Sequence, residues 1–139
     1  ITWQKTNPPP NLACRCFTHS TETILWAKKN DKKSRHFFNY QKMKEMNGGK
    51  QIKDVWTGAL TKPSEKTEGK HPTQKPEYLL EKIVLASTEE GQVILDPFCG
   101  SGTTGVEAVR FGRKFIGIDV SEEYLEISKR RLEKVANDK

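Results

Sequence analysis

Residues 96–105 read Asp-Pro-Phe-Cys-Gly-Ser-Gly-Thr-Thr-Gly, and the three glycines have the spacing Gly-x-Gly-x-x-Gly. The apolar run that ends at Asp96 is typical of a strand buried on both faces of a parallel sheet. After the glycines, the spacing of Val106 and Val109 predicts a helix over 103–111, with Gly112 as its stop. Glycines permit a tight strand-to-helix turn and a close approach of the backbone to a ligand. The stretch therefore predicts the strand–turn–helix step of an α/β fold.

The residues that follow complete a β-α-β unit. A second strand is predicted over 114–119, ending at Asp119, which lies 19 residues beyond Gly100. Ser121 is placed to cap a last helix. The inward face of that helix is predicted to carry Leu125, Ser128, Leu132 and Val135. This order of elements predicts a doubly wound, Rossmann-like α/β fold.

The upstream residues predict two strands, a long insertion and one helix. Strands are expected over 1–4 and 22–27, on either side of a proline-rich loop. Residues 28–70 show neither a helical nor a strand period and carry several glycines, so we expect a long, partly mobile insertion. Pro76 suits the first turn of a helix, and apolar residues at helical spacing continue it to about residue 88.

The positive charge of the chain is concentrated in that insertion. The formal net charge is +6, and residues 28–70 hold twelve Lys or Arg against five Asp or Glu, so the remainder is close to neutral. A basic stretch beside a neutral body indicates binding to a polyanion. The alternative is a solvated charged loop whose aromatic residues fold back on the core. The candidate phosphate contacts are Lys28, Lys29, Lys32, Lys33 and Arg35.

Composition excludes several classes of protein. No stretch approaches the roughly 18 consecutive apolar residues of a membrane span, so no membrane association is expected. The odd number of cysteines, Cys14, Cys16 and Cys99, cannot all pair and completes no four-ligand zinc site, which favours a reducing, cytoplasmic protein without structural metal. The first residues show neither an initiator Met nor a signal pattern, which favours a fragment.

The glycine turn and the later acid fit two kinds of cofactor. In dinucleotide sites the glycines approach a pyrophosphate and the acid binds ribose hydroxyls. Asp96 would repel a pyrophosphate, whereas it would attract the sulfonium and ammonium of S-adenosylmethionine. A structural interpretation also stays open: the glycines form only the turn, Asp119 caps the next helix, and Phe98 is core.

Two motifs resemble the amino DNA methyltransferases of the circularly permuted β group. They are His-Pro-Thr-Gln-Lys-Pro at 71–76 and the stretch at 96–105, in the order that this family shows. The resemblance implies a Rossmann-like S-adenosylmethionine-dependent methyltransferase fold. It also implies a cofactor site formed by Thr73, Gln74, Lys75, Asp96, Phe98, Cys99, Gly100, Ser101, Gly102, Thr103 and Asp119. Of these, 73–75 would hold the methionine carboxylate and Asp119 the ribose.

The catalytic motif of that family is not found. It consists of an acid, Asn or Ser, then Pro-Pro and an aromatic residue, which hold and stack a flipped base. The nearest string, Asn7-Pro8-Pro9-Pro10, has proline in place of the aromatic residue, so no catalytic residue is assigned. The resemblance predicts three regions: the end of a catalytic subdomain at 1–29, a basic target-recognition insertion at 30–70, and the cofactor-binding β-α-β region at 71–139.

The expected parent protein is a site-specific, adenine-specific DNA methyltransferase of a restriction–modification system, acting on the exocyclic amino group in duplex DNA. This chain alone is expected to be inactive, with an N-terminal half or a partner subunit supplying the rest. A homodimer is a further expected assembly. Alternatives are a cytosine-amino methyltransferase, a non-catalytic module that binds DNA or cofactor, and, disfavoured by Asp96, a dinucleotide oxidoreductase.

Overall fold

The structure is a computed structural model that describes residues 1–30, 32 and 35–138. Its strands form two sheets, one three-stranded and one two-stranded, and helices pack beside both. In chain order the elements are β1 (Thr2–Lys5), β2 (Thr21–Thr23), α1 (Tyr40–Met46), β3 (Val55–Gly58), a 3-10 turn (Pro63–Lys66), α2 (Glu77–Ser87), β4 (Val93–Asp96), α3 (Thr103–Arg110), β5 (Lys114–Gly117) and α4 (Glu122–Asn137). Among the helices formed by the described residues, none is long and apolar enough to cross a membrane.

The predicted β-α-β unit is confirmed. Strands β4 and β5 pair in parallel, with Asp96 beside Gly117 at their carboxyl ends, and α3 packs on the sheet between them. Gly102 starts α3 in the left-handed region at φ 74°. A Cβ atom at that position would lie 2.1 Å from Ser128 Oγ, so the turn also needs glycine for space. The capping role of Ser121 is confirmed too, since its side chain accepts from the Tyr124 amide.

The first sheet is built around β1. This strand lies between β2, which is antiparallel to it, and β3, which is parallel to it. Trp3 and Trp56 stand side by side in that register and form a buried core with Leu79 of α2. The Trp3 indole N–H donates to Tyr78 Oη at 2.7 Å. This hydrogen bond ties the three-stranded sheet to α2, the helix that precedes the β-α-β unit.

The prediction of an irregular insertion over 28–70 is wrong in part. Residues 40–46 form α1, which buries Met43, and residues 55–58 form β3, which buries Trp56. Pairing with β1, more than fifty residues away, stabilises this four-residue strand, and such a short strand leaves little periodic signal. The strand predicted over 22–27 is also shorter than expected, because β2 ends at Thr23.

One further expectation about burial is wrong and another holds in part. Strand β4 was predicted to be buried on both faces, but Val93 and Leu95 are 57% and 59% exposed. Ile116 and Ile118 beside them are exposed as well, so one face of this two-stranded sheet is apolar and uncovered. The predicted inward face of α4 is confirmed in part: Ser128 is buried and Leu125, Leu132 and Val135 are half-buried, beside the fully buried Ile127 and Arg131.

The uncovered face should limit solubility and contribute little to stability. Replacing Leu95 and Ile116 with Thr should raise the concentration at which the chain aggregates and change the free energy of unfolding by less than about 1 kcal/mol. Phe115→Thr is the control, because Phe115 contacts α3 at Gly105, and it should cost on the order of 2–3 kcal/mol. Light scattering and thermal melting check both. Equal destabilisation by the two sets would mean that the face is packed in solution.

Candidate cofactor-binding site

A cavity of about 200 Å³ lies where the β4–α3 turn meets the segment that enters α2. Ligands of open α/β sheets bind at the carboxyl ends of the strands, which is where this cavity opens. Its lining includes nine of the eleven predicted cofactor residues: Thr73, Gln74, Lys75, Asp96, Phe98, Cys99, Gly100, Ser101 and Thr103. Gly102 and Asp119 do not line it. The motifs at 71–76 and 96–105 lie about twenty residues apart in the sequence, and each thus forms one wall of the cavity.

Asp96 is fixed in the cavity wall by the turn that follows it. Its Oδ1 accepts the Phe98 amide at 3.1 Å, and its Oδ2 accepts the Thr104 hydroxyl at 2.7 Å. A carboxylate can accept about four hydrogen bonds, so Asp96 keeps acceptor capacity toward the cavity. Phe98 itself is 87% exposed, which removes the interpretation that its ring is core.

Asp119 holds the glycine turn from the end of β5. Its Oδ2 accepts the Gly100 amide at 2.8 Å, and its Oδ1 accepts the Ser121 amide at 3.0 Å. The amides of Ser121 and Gly100 keep the pKa of this carboxyl below its ordinary value. Asp119 is therefore an anion whose first role is structural, although the cap of α4 is Ser121, and its remaining lone pairs are open to a ligand.

The amides of the turn are largely satisfied within the protein. Besides the Phe98 and Gly100 amides, the Cys99 amide donates to the Ile118 carbonyl at 2.9 Å and the Gly102 amide to the Cys99 carbonyl at 2.8 Å. In dinucleotide sites such amides approach the pyrophosphate. Here these four amides have partners and two carboxylates flank the turn, so the site suits a cation better than a phosphate.

Lys75 and Gln74 have partners that the sequence does not reveal. The Lys75 ammonium pairs with Glu22 Oε2 at 2.9 Å, and Lys5 pairs with the other oxygen of Glu22 at 3.0 Å. Partial burial acts to raise the pKa of Glu22, but the hydrogen bonds and charges of the two lysines outweigh it and lower that pKa. Gln74 is buried, and its amide donates to the Glu65 carbonyl at 2.7 Å, while its Oε1 has no partner among the described residues.

Sequence reasoning missed three residues of the cavity wall, His71, Leu80 and Thr104. The His71 ring packs on the Tyr124 ring with centroids 4.2 Å apart, and desolvation lowers its pKa despite the neighbouring Asp119 charge. The lowered pKa favours the neutral ring, which faces Gly100. The Thr104 hydroxyl could have been anticipated, because it follows Asp96 by eight residues across a turn that folds back on itself.

A group of charged side chains lies behind the glycine turn. Arg131 of α4 is 5% exposed and donates to the Ser101 carbonyl and the Thr103 hydroxyl at 2.8 and 3.0 Å. It also pairs with Glu77 at 3.0 Å, and the other oxygen of Glu77 pairs with Arg110 at 2.8 Å. Arg110 in turn pairs with Glu107, which is fully buried. The group joins α2, α3 and α4.

Most of the basic stretch is visible at the surface. Lys28, Lys29, Lys32 and Arg35 are exposed, whereas Lys33 lies outside the described residues. At its base the Trp26 ring contacts the His36 and Phe38 rings, with centroids 5.4 and 5.3 Å apart. Trp26 and Phe38 stay substantially exposed, so of the aromatic residues only Trp56 folds into the core as the alternative expects, and these four basic side chains stay at the surface.

The fold and the cavity define the class of this protein: a parallel β-α-β unit with a cavity at the strand ends, beside a glycine turn that two carboxylates flank. The model of the N6_N4_Mtase family, described as DNA methylase, matches residues 1–130, and the chain belongs to that family.

The chain is similar to two curated methyltransferases along nearly all its length. It is 75% identical to the Type II methyltransferase M2.LlaDCHI of Lactococcus lactis subsp. cremoris, over 98% of this chain and 51% of that protein. It is 74% identical to the Type II methyltransferase M2.DpnII of Streptococcus pneumoniae, over 96% of this chain and 50% of that protein. The chain thus spans about half the length of these relatives.

Solved structures confirm the predicted methyltransferase fold. The M1.HpyAVI–SAM complex is 40% identical with a TM-score of 0.77, over 95% of this chain and 60% of that one. PvuII DNA methyltransferase, described as cytosine-N4-specific, has a TM-score of 0.78 at 21% identity, over 99% of this chain and 54% of that one. The second likeness concerns the fold alone.

Glu107 should give the stability of the chain a distinctive pH dependence. Burial raises its pKa from an ordinary 4.5 to about 7, against the opposing charge of Arg110. Between these values the folded state binds the proton more tightly than the unfolded state does. The free energy of unfolding should therefore fall by about 3 kcal/mol as the pH rises from below 4.5 to above 7.

In urea denaturation measured at several pH values, Glu107→Gln should remove the part of the fall in the free energy of unfolding that comes from Glu107. Glu133→Gln, on the exposed side of α4, is the matched control and should keep the wild-type slope. A Glu107→Gln variant with an unchanged slope would contradict the assignment.

Proposed function

We propose that this chain is the cofactor-binding and target-recognition part of a DNA methyltransferase that uses S-adenosylmethionine and modifies adenine in duplex DNA. The observation that carries the proposal is the glycine turn held between Asp96 and Asp119, with its amides bonded inside the protein. When bound, S-adenosylmethionine supplies a methyl group activated by its sulfonium. The family of the chain and the Type II methyltransferases similar to it support a place in a restriction–modification system.

The residues of the cavity suit the charges of that cofactor. Asp96 presents a fixed anion toward the space where the sulfonium and ammonium would lie, and the exposed ring of Phe98 covers one side. Asp119 is anionic and keeps lone pairs for the ribose hydroxyls. Cys99 is buried, and burial raises the pKa of its thiol, so it serves as packing and not as a nucleophile.

The segment 73–75 supplies the positive end of the site. An ammonium has three donors, so Lys75 can keep Glu22 and still hold the methionine carboxylate of the cofactor. Glu22 then positions the lysine. Thr73 completes this wall, and Gln74 contributes mainly by anchoring the segment to Glu65.

The choice of adenine and of the β group rests on the motifs. The segment 71–76 precedes 96–105 as in that group, and both motifs meet in one cavity. Cytosine-amino enzymes share these motifs, so a cytosine-amino activity is the second candidate. A base analysis of the methylated product separates the two.

The catalytic step is assigned to residues outside these 139. The side chain of Asn7, the nearest candidate, accepts the Leu60 amide at 2.8 Å and so holds the chain ends of β1 and β3 together. The uncovered face of β4 and β5 supports an additional half of the molecule, supplied on the same chain or by a partner subunit or a second copy. The DNA would meet the basic stretch that includes Lys32 and Arg35.

Asp119→Ala should weaken S-adenosylmethionine binding about tenfold to a hundredfold, because it removes a ribose acceptor and frees the Gly100 amide. Calorimetry measures the dissociation constant, with Asp138→Ala at the end of α4 as the control. An analogue without ribose hydroxyls should lose affinity for the wild-type chain and little more for Asp119→Ala. Equal losses for both proteins would sink the ribose assignment.

Methyl transfer should require the missing half. Radiolabelled transfer to mixed-sequence duplex DNA is compared between this chain and a chimera in which the N-terminal half of M2.DpnII precedes it. We expect transfer by the chimera alone, since a base amine must be held at attack distance by groups that this chain does not provide. Turnover by the 139 residues alone would overturn the division of roles. A chimera that binds cofactor and DNA without transfer would favour a non-catalytic module.

The same assay tests the DNA surface. Lys32→Gln with Arg35→Gln should raise the KM for DNA in the chimera and leave kcat in place, because phosphate contacts position the duplex. The matched pair Lys114→Gln with Lys129→Gln, also exposed, should leave the KM unchanged.

A further inference from the structure

Arg131 connects two segments that are far apart in the chain and adjacent in the cavity. One guanidinium nitrogen donates to the Ser101 carbonyl and the Thr103 hydroxyl, and the other donates to Glu77 Oε1 at 3.0 Å. Ser101 and Thr103 belong to the glycine turn. Glu77 is the first residue of α2 and directly follows the segment 71–76.

We propose that Arg131 is a positioning residue that fixes the distance between the glycine turn and the 71–76 segment, the two walls of the cofactor cavity. The inference rests on the proposed function for the identity of the cofactor. Arg131 does not line the cavity, so it acts through the residues that it holds.

The geometry of the guanidinium suits this role. Its planar fork presents donors in a fixed arrangement, so one side chain can bond two partners in different directions without rearrangement. An ammonium in the same place is a point charge on a flexible stem. Arg131→Lys therefore keeps the positive charge beside Glu77 and loses the link that spans both walls.

The helix that carries Arg131 is itself pressed against the turn. Ser128, one turn earlier, fills the space beside Gly102, where a Cβ would lie 2.1 Å from its hydroxyl oxygen. Ile127 is buried on the same face. Helix α4 thus supports the turn by packing, and Arg131 adds the connection to α2.

The position of Glu77 is fixed from two further directions. Its backbone amide donates to Glu65 Oε2 at 2.8 Å, and its second carboxylate oxygen pairs with Arg110 of α3. Because Glu77 is held on three sides, the Arg131 contact transmits the position of α2 to the glycine turn. A contribution to stability alone would not require this arrangement, since buried ion pairs are often close to neutral for stability.

The test compares Arg131→Lys and Arg131→Ala with Arg130→Lys and Arg130→Ala. Arg130 is the matched control, because it is exposed on the same helix and donates to the Glu68 carbonyl, away from the cavity. The measurements are the dissociation constant for S-adenosylmethionine by calorimetry, the melting temperature, and hydrogen exchange of the amides at 100–103.

Arg131→Lys should bind the cofactor about tenfold more weakly at a melting temperature close to that of the wild-type chain, with faster exchange at 100–103 and unchanged exchange in α4. Free guanidinium, at concentrations well below denaturing ones, should restore part of the affinity of Arg131→Ala. The Arg130 variants should behave as wild type. If Arg131→Ala fails to fold, Arg131→Lys alone decides the question.

Wild-type affinity and wild-type exchange in Arg131→Lys would overturn the proposal. A wild-type chain that does not bind S-adenosylmethionine would overturn the proposed function instead. In that case hydrogen exchange at 100–103 still decides whether Arg131 holds the turn, because that measurement needs no cofactor.

Discussion

The hydrogen bond from the Gly100 amide to the Asp119 carboxylate is the contact on which the rest of the site depends. Buried amides need partners, and a glycine turn has few side chains to supply them. Here the end of the second strand supplies two, the Asp119 carboxylate and the Ile118 carbonyl. The turn after β4 is therefore locked to the end of β5. That lock turns the Asp96 carboxylate and the exposed Phe98 ring toward the same open space.

The elements with strong local signals were predictable from the sequence, and those formed by distant contacts were not. Gly102, Pro76 and Ser121 mark helix starts by their own chemistry, so α2, α3 and α4 were found close to their observed bounds. Strand β3 carries no such signal, and only its pairing with β1 makes it a strand. The same division holds in the site. The motifs identified most of the cavity wall, but the partners that fix it, Glu22 and Arg131, lie far away in sequence and have no motif.

The chain separates its charges according to the charge of each proposed ligand. The Asp96 carboxylate lines the cavity, where a cationic cofactor is proposed, and the excess positive charge gathers in the stretch proposed to meet DNA. If acidic and basic groups were mixed in both regions, each region would repel its own ligand in part. The binding of the cofactor and of DNA would then both be weaker. Glu22 pairs with both Lys75 and Lys5, so it offsets only part of the positive charge at that wall.

The role of the charged group behind the glycine turn is to fix the relative positions of α2, α3 and α4. Burying Glu107 carries a desolvation penalty large enough to raise its pKa to about 7, so this end of the group opposes folding at neutral pH. A core of apolar side chains would hold the three helices together without that penalty. Apolar contacts have no preferred direction, however, so they would not fix where each helix lies. Hydrogen bonds do so, because donors and acceptors meet only in narrow ranges of distance and angle. A cavity formed by two separate segments requires that their relative position be specified, and the ion pairs among α2, α3 and α4 provide this.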